Sequence, residues 1–255
     1  MLISLKKLCS DYNFIPKGVL HVGAHQAEEL PLYMSLGIEK VIWIEACPEI
    51  FKTLKQIVSE FPKQKAYNYL ISNVDGQEHN FYITNNGQSS SLLELGKHKT
   101  FHPEIHVTNV VVLKSKKGDT FIEDNKINMG DYNFLNLDIQ GAELLALQGL
   151  KNNLEFIDYI YTEINTGEVY KNCAKVYEID EFLKKYGFER VETSMTSWEW
   201  GDAFYIKENL KKDMKIGRNI HNKLKKLTWI YVPLRRVYFA IKSTGKRALA
   251  DVMSD

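Results

Sequence analysis

The chain has 255 residues, with 33 Lys and Arg against 32 Asp and Glu and a formal net charge of +1. That length supports one large core, or a domain with an appendage, and the balanced charge gives no global argument for nucleic acid or an acidic partner. Cys9, Cys47 and Cys173 have neither paired nor metal-type spacing, which argues against a disulfide framework and for a reducing compartment.

In chain order, Leu2 to Leu8 reads as a short amphipathic helix, and Pro16 and Gly18 reset the chain before a first strand, Val19 to Val22. The apolar run breaks at Gly23. Gln26 to Leu36 is expected to be a helix ended by Gly37, and a second strand, Lys40 to Glu45, finishes on an acid. Pro48 suits the first turn of a helix reaching about Glu60, and a third strand, Ala66 to Ile71, carries Ser72 and Asn73 at its tip. With right-handed crossovers this order makes half of a parallel sheet.

The alternation then lapses. Glu78 to Thr84 and Val107 to Leu113 read as strands around a polar, serine-rich loop, Asn85 to Leu95. Residues 74–130 are therefore expected to form an insertion, or a pair of extra strands, over one end of the sheet that helps hold substrate. From Tyr132 the pattern sharpens: YNFLNLDI is a buried strand, QGAELLALQGL a helix and FIDYIYTEI a strand, their near-continuous apolar character matching parallel strands covered on both faces. Val176 to Tyr186 is an amphipathic helix stopped by Gly187. Phe188 to Thr193 and Ala203 to Lys207, joined by a short loop, should be antiparallel neighbours. The expected architecture is α/β over residues 1–210, a Rossmann-like sheet, mostly parallel, with an antiparallel closing hairpin. That closure distinguishes the class I methyltransferase variant from the all-parallel dinucleotide fold.

Several residues carry possible chemistry. GxGxxG would need two more glycines after Gly23, where His25 and Ala27 stand, so the turn is a poor pyrophosphate site although a nucleoside alone needs less. Glu45, at the tip of a buried strand, is placed to accept from two ribose hydroxyls; the plainer reading is a solvent-facing strand end. His21, inside the first strand, reads as a satisfied core histidine before a ligand. His25 fits either a helix cap or a cofactor contact. Asp138 and Glu163 end adjacent central strands, where they could take a proton from an alcohol or hold a divalent cation such as Mg or Mn. On the plainer reading Asp138 caps the next helix and Glu143 makes an ion pair. Trp198 and Trp200 could stack on a sugar or cover the sheet edge. His98, His102 and His106 have helical spacing, but Pro103 interrupts it, so no metal site is expected there.

HVGAHQAEE with Glu45, LISNVDG, SSSLLE, FLNLDIQGAELLALQGL, IDYIYTEI and GDAFYIK together resemble the FkbM-type S-adenosylmethionine-dependent methyltransferases over about Gly18 to Lys207. The resemblance implies Gly23 and its neighbours His21, Ala24, His25 and Glu29 at the methionine part of the cofactor, Glu45 with Ala46 on ribose, and Ser72 and Asn73 near the adenine. It places Asp138 at the reaction centre. Two departures, His21 where the family often has an acid and Ala27 where it often has glycine, bear on the methionine contacts and not on the fold. The expected activity is O-methylation of a hydroxyl on a sugar, nucleotide-linked sugar or glycan precursor, as in polysaccharide biosynthesis. Asp138 would be the base, directly or through a metal shared with Glu163, and Ser90, Ser91, Gln140, Trp198 and Trp200 are the candidate acceptor contacts. The competing readings are a nicotinamide-dependent oxidoreductase and a silent nucleoside-binding module.

The start, MLISLKKLCSDYNF, lacks an apolar stretch of signal-peptide length, and no run of about 18 apolar residues occurs, so a cytoplasmic protein without a membrane span is expected. Residues 211–255 read as a basic helical extension: Lys211 to Arg247 contains twelve Lys or Arg, one acid, Asp213, and interleaved aromatics. It suits peripheral contact with the inner face of an anionic membrane, a homo-oligomer interface or a helical cap on the core, and no nucleic-acid motif accompanies it.

Overall fold

The computed structural model of the chain describes residues 1–211. Ser4 opens α1 (Leu5–Asp11), its hydroxyl accepting from the Lys7 amide, and β1 (Val19–Val22) is buried along its length. α2 (Leu30–Ser35) begins later than the sequence pattern suggests. His25 and Ala27 take positive φ angles of 42° and 63°, so the chain first turns across the end of the sheet. β2 (Val41–Glu45) follows, then α3 (Pro48–Val58), opened by a proline whose missing N–H costs nothing there.

The run expected as one third strand divides at Tyr69. β3 (Gln64–Asn68) pairs with β2, and the Asn68 amide binds the Glu45 and Ala46 carbonyls at 2.7 and 3.0 Å. β4 (Leu70–Ser72) leaves for a second, three-stranded sheet with β5 (Glu78–Thr84) and, after the short α4 (His98–Phe101), β6 (Val107–Lys117). β6 is central, parallel to β4 and antiparallel to β5. α5 (Gly118–Asp124) has no counterpart in the sequence reading, because seven residues show too few turns to reveal a periodicity. Its Phe121 and Ile122 nonetheless enter the main core, so the last part of residues 74–130 belongs to that core.

β7 (Phe134–Leu137), α6 (Glu143–Gly149), β8 (Tyr159–Asn165), α7 (Val176–Lys184), β9 (Phe188–Met195), β10 (Trp200–Lys207) and a final turn, α8 (Glu208–Lys211), complete the described chain. The main sheet has seven strands in the order β3-β2-β1-β7-β8-β10-β9. The first five are parallel, and β10 runs antiparallel between β8 and β9. Both faces are covered. Leu20, Ile42, Leu135 and Ile160 meet Phe121, Leu147 and Leu183 on one side, while Val19, Val41, Trp43 and Phe134 meet Leu5, Tyr33 and Leu54 on the other. Each such large apolar side chain stabilises the fold by about 1.5–3 kcal/mol, and two covered faces explain why the strands read as continuous apolar runs.

Register then places the site. Val22 lies between Ile44 and Leu137, so the turns leaving β1, β2 and β7 emerge side by side where the strand order reverses, the position of the ligand crevice in open α/β sheets. Because β10 runs the other way, its early residue Asp202 pairs with Glu163 near the end of β8 and joins the same edge. Among the described residues no helix is long and apolar enough to cross a membrane. The basic segment beyond Lys211, read from the sequence as amphipathic helices, lies outside the described residues.

Candidate active site

Gly23 is required by its neighbours. Its φ is +85°, and a Cβ there would stand 1.8 Å from the Asp138 carbonyl oxygen, so the tips of β1 and β7 can touch only through glycine. One turn away, the Glu45 carboxylate accepts from the His25 amide at 2.9 Å and the Cys47 amide at 2.7 Å. Burial raises its pKa, and the two amides oppose that shift. They also fix the carboxylate, while each oxygen keeps acceptor capacity for a further hydroxyl.

These groups open on a cavity of about 410 Å³, within the range of small-molecule sites. It brings together Gly23, Ala24, His25, Glu29, Glu45 and Ala46 with Asp138, Gln140 and Glu163; Ser90 and Trp200 also line it. His21 borders it too, but both ring nitrogens are engaged. Nε2 lies 3.2 Å from the Asn136 amide, which donates, and Nδ1 lies 3.3 Å from the Tyr33 hydroxyl. Burial lowers the His21 pKa to about 3, so the ring is neutral, as the core-histidine reading expects. The structure does not bring Ser72 and Asn73 to the cavity. Ser72 is buried in β4 and the Asn73 amide binds Gln148 at 3.0 Å, whereas Tyr69, Leu70 and Ile71 supply that wall. Ser91 also lies outside the lining, its hydroxyl donating to the Gln140 carbonyl at 2.8 Å. Trp198 stands behind the cavity, against Phe101 and His102.

The acids form a graded cluster around Gln140. This residue adopts φ +58°, followed by Gly141 at +98°, and the turn aims its side chain between two carboxylates. Gln140 Nε2 donates to Asp138 Oδ1 at 2.6 Å and to Glu163 Oε2 at 2.9 Å, while Oε1 accepts from the Tyr170 hydroxyl at 2.5 Å. Asp138 is open to the cavity space yet walled by protein, and this loss of bulk water raises its pKa to about 6, opposed by Gln140 and aided by Asp202. Glu163 is deeply buried and shifted well above the usual carboxylate range, first by burial and then by the charges of Asp138, Glu143 and Asp202.

Two plainer readings are corrected. Asp138 does not cap α6, whose cap residue Ala142 makes no side-chain hydrogen bond. Glu143 makes no ion pair among the described residues. Its Oε1 accepts from the Ile139 and Gly141 amides, both at 3.1 Å, holding the loop that carries Gln140, and burial raises its pKa to about 7. The sequence reading had also missed Tyr170 and Asp202. Asp202 was visible only as part of GDAFYIK, and no local pattern marks Tyr170. For the metal expectation, no group of three or more His, Cys, Asp or Glu side chains suited to a cation occurs among the described residues. An amide N–H stands between Asp138 and Glu163, with its orientation set by the Tyr170 hydroxyl.

A strand order with one antiparallel strand set beside β8, and a glycine-poor turn that suits a nucleoside without pyrophosphate, place the chain in a class: it is a Rossmann-like S-adenosylmethionine-dependent methyltransferase. The methyltransferase FkbM domain matches residues 21–190, and the chain belongs to that family. No curated protein matches the chain. Solved structures resemble it at low identity. A SAM dependent methyltransferase from Aquifex aeolicus is 12% identical, with 81% of this chain and 90% of that one covered and a TM-score of 0.44. TrmK of M. capricolum, in complex with S-adenosyl-homocysteine, is 10% identical, with 82% and 70% covered and a TM-score of 0.44. A protein in the NADB-Rossmann superfamily from Streptococcus agalactiae is 14% identical, with 95% and 88% covered and a TM-score of 0.47. The cofactor is S-adenosylmethionine. The cavity's chemistry fits it: Glu45 is a fixed acceptor for ribose hydroxyls, and the described lining holds several carboxylates and neither Lys nor Arg, which suits a sulfonium and an ammonium.

Proposed function

We propose that the chain methylates a hydroxyl oxygen of a sugar or glycan precursor, with Asp138 as the base. The cofactor supplies a methyl group already activated by the sulfonium, so the protein's work is alignment and proton removal. The observation that carries the reading is the state of Asp138. It faces the cavity, has one oxygen tied to Gln140, and has a pKa raised to about 6 by its surroundings, which makes it a better proton acceptor than an ordinary carboxylate while still ionised at neutral pH. Glu163 is pushed toward its neutral form by burial and by the neighbouring acids, so Asp138 is the base of the pair, and Glu163 accepts from Gln140. Gln140 keeps the two apart in role by donating to both.

The test has two parts. Asp138→Asn should lower turnover by about a hundredfold or more with cofactor affinity nearly unchanged, as a group acting on the transition state requires. Unchanged turnover would remove it from the chemistry. For the atom methylated, products from a panel of sugars and amines are read by NMR, and a new methoxy resonance is expected; N-methyl products alone would sink the O-methyl reading.

A further inference from the structure

Past the paired acids the cavity is closed by a wall that no part of the reading above uses. α4 contributes His98 and its C-cap residue is His102, their rings 5.2 Å apart, and Trp200 from β10 completes it. The His98 ring lies 5.5 Å from that of Tyr170, whose hydroxyl holds Gln140, so this wall is linked through Tyr170 and Gln140 to Asp138 and Glu163. Trp198 braces it from behind, 5.5 Å from Phe101 and 5.7 Å from His102.

Two observations point to a ligand. First, His98 is only 6% exposed and lines the cavity, and its Nδ1 has no hydrogen-bond partner among the described residues. Buried polar groups are nearly always paired, so an imidazole with an unpaired nitrogen on a cavity wall marks a place where a further hydrogen-bonding molecule belongs. Burial also holds His98 below the usual histidine range, so the ring is neutral near pH 7 and a nitrogen that reaches the cavity can pair with a hydroxyl. Second, Glu28, Glu29, Glu45, Asp138, Glu163 and Asp202 line the cavity, and no Lys or Arg does so among the described residues. A phosphate placed here would meet these carboxyl groups, against only the Met1 amino group and His25 as cationic groups of the described lining. Aromatic edges and faces, by contrast, suit the apolar side of a sugar ring.

We propose that His98, His102 and Trp200 form the acceptor subsite, and that it takes an uncharged, hydroxylated ring, a neutral pyranoside and not its phosphate ester. This rests on the sugar O-methyltransferase reading but can fail separately from it.

The test uses the full-length protein loaded with S-adenosylhomocysteine, titrated with the methyl glycosides of glucose, mannose, galactose and rhamnose, and with glucose and mannose 6-phosphates. Imidazole NMR resonances report the site at constant pH. The His98 signals are assigned from His98→Gln and those of His102 from His102→Ala, either assignment sufficing if the other variant does not fold. At least one neutral glycoside should shift these signals saturably, with the 6-phosphates binding at least tenfold more weakly. The proposal is overturned if no neutral glycoside moves either histidine, or if a phosphate binds as tightly. Shifts at His98 without methoxy product in the assay above would instead count against the reaction and leave the subsite standing.

Discussion

At the residue scale, the site depends on carboxyl groups whose pKa values burial has raised. Asp138 must lose its proton to act as base, and its pKa is raised to about 6, so kcat should fall as pH drops below about 6 and level off above about 7. A profile flat down to pH 5 would contradict that role. Glu45 has a separate duty. Glu45→Ala removes the acceptor expected for ribose and leaves the His25 and Cys47 amides unpaired, so cofactor affinity should drop by at least about tenfold, with a stability loss of about 1–3 kcal/mol for each orphaned amide. Calorimetry that returned wild-type affinity for a folded variant would end the ribose assignment.

At the element scale, the contact between the β1 and β7 turns is the sensitive joint. Gly23→Ala would push a Cβ into the Asp138 carbonyl and force a positive φ on alanine. A loss of about 2–5 kcal/mol in denaturant unfolding is expected, together with weakened cofactor binding, since Asp138 itself must shift. The same substitution at Gly37, where a Cβ would meet nothing within 4 Å, keeps only the conformational penalty and should cost about 1–2 kcal/mol. Equal losses at both positions would show that close packing at Gly23 has no weight. The fold at this scale was largely legible from sequence, because apolar runs, Pro48 and Gly37 are local signals. The division at Tyr69 was not: one side of it pairs with β2 and the other with β6, Leu70 opposite Ser115, and only that distant pairing ends the strand.

At the scale of the whole molecule, Asp138, Glu143 and Glu163 all have folded pKa values above those of free carboxylates. The folded chain therefore holds these protons more tightly than the unfolded one. This contribution is fully present below about pH 4 and is lost as pH rises through the folded values, about 6 for Asp138 and about 7 for Glu143. Glu143→Gln, which keeps a carbonyl acceptor for the Ile139 and Gly141 amides, should flatten the fall in stability between pH 5 and 8 seen by chemical denaturation. Parallel profiles for variant and parent would refute this.

The two levels divide along lines of range. Sequence alone determined the order of strands and helices apart from α5 and the divided third strand, the antiparallel closure, the cofactor class through the family resemblance of DIQGAE and its companions, and Asp138 and Glu45 as acids at strand tips, because each of these is written in neighbouring residues. Tertiary structure alone decided that Asp202 joins Glu163 through the reversed β10, that Tyr170 orients Gln140 between two carboxylates, and that His98 and His102, unpromising as a helical histidine repeat, face the same cavity. Those partners come from β8, β10, α4 and separate loops. Their meeting is a product of strand register and packing, which no local spacing records.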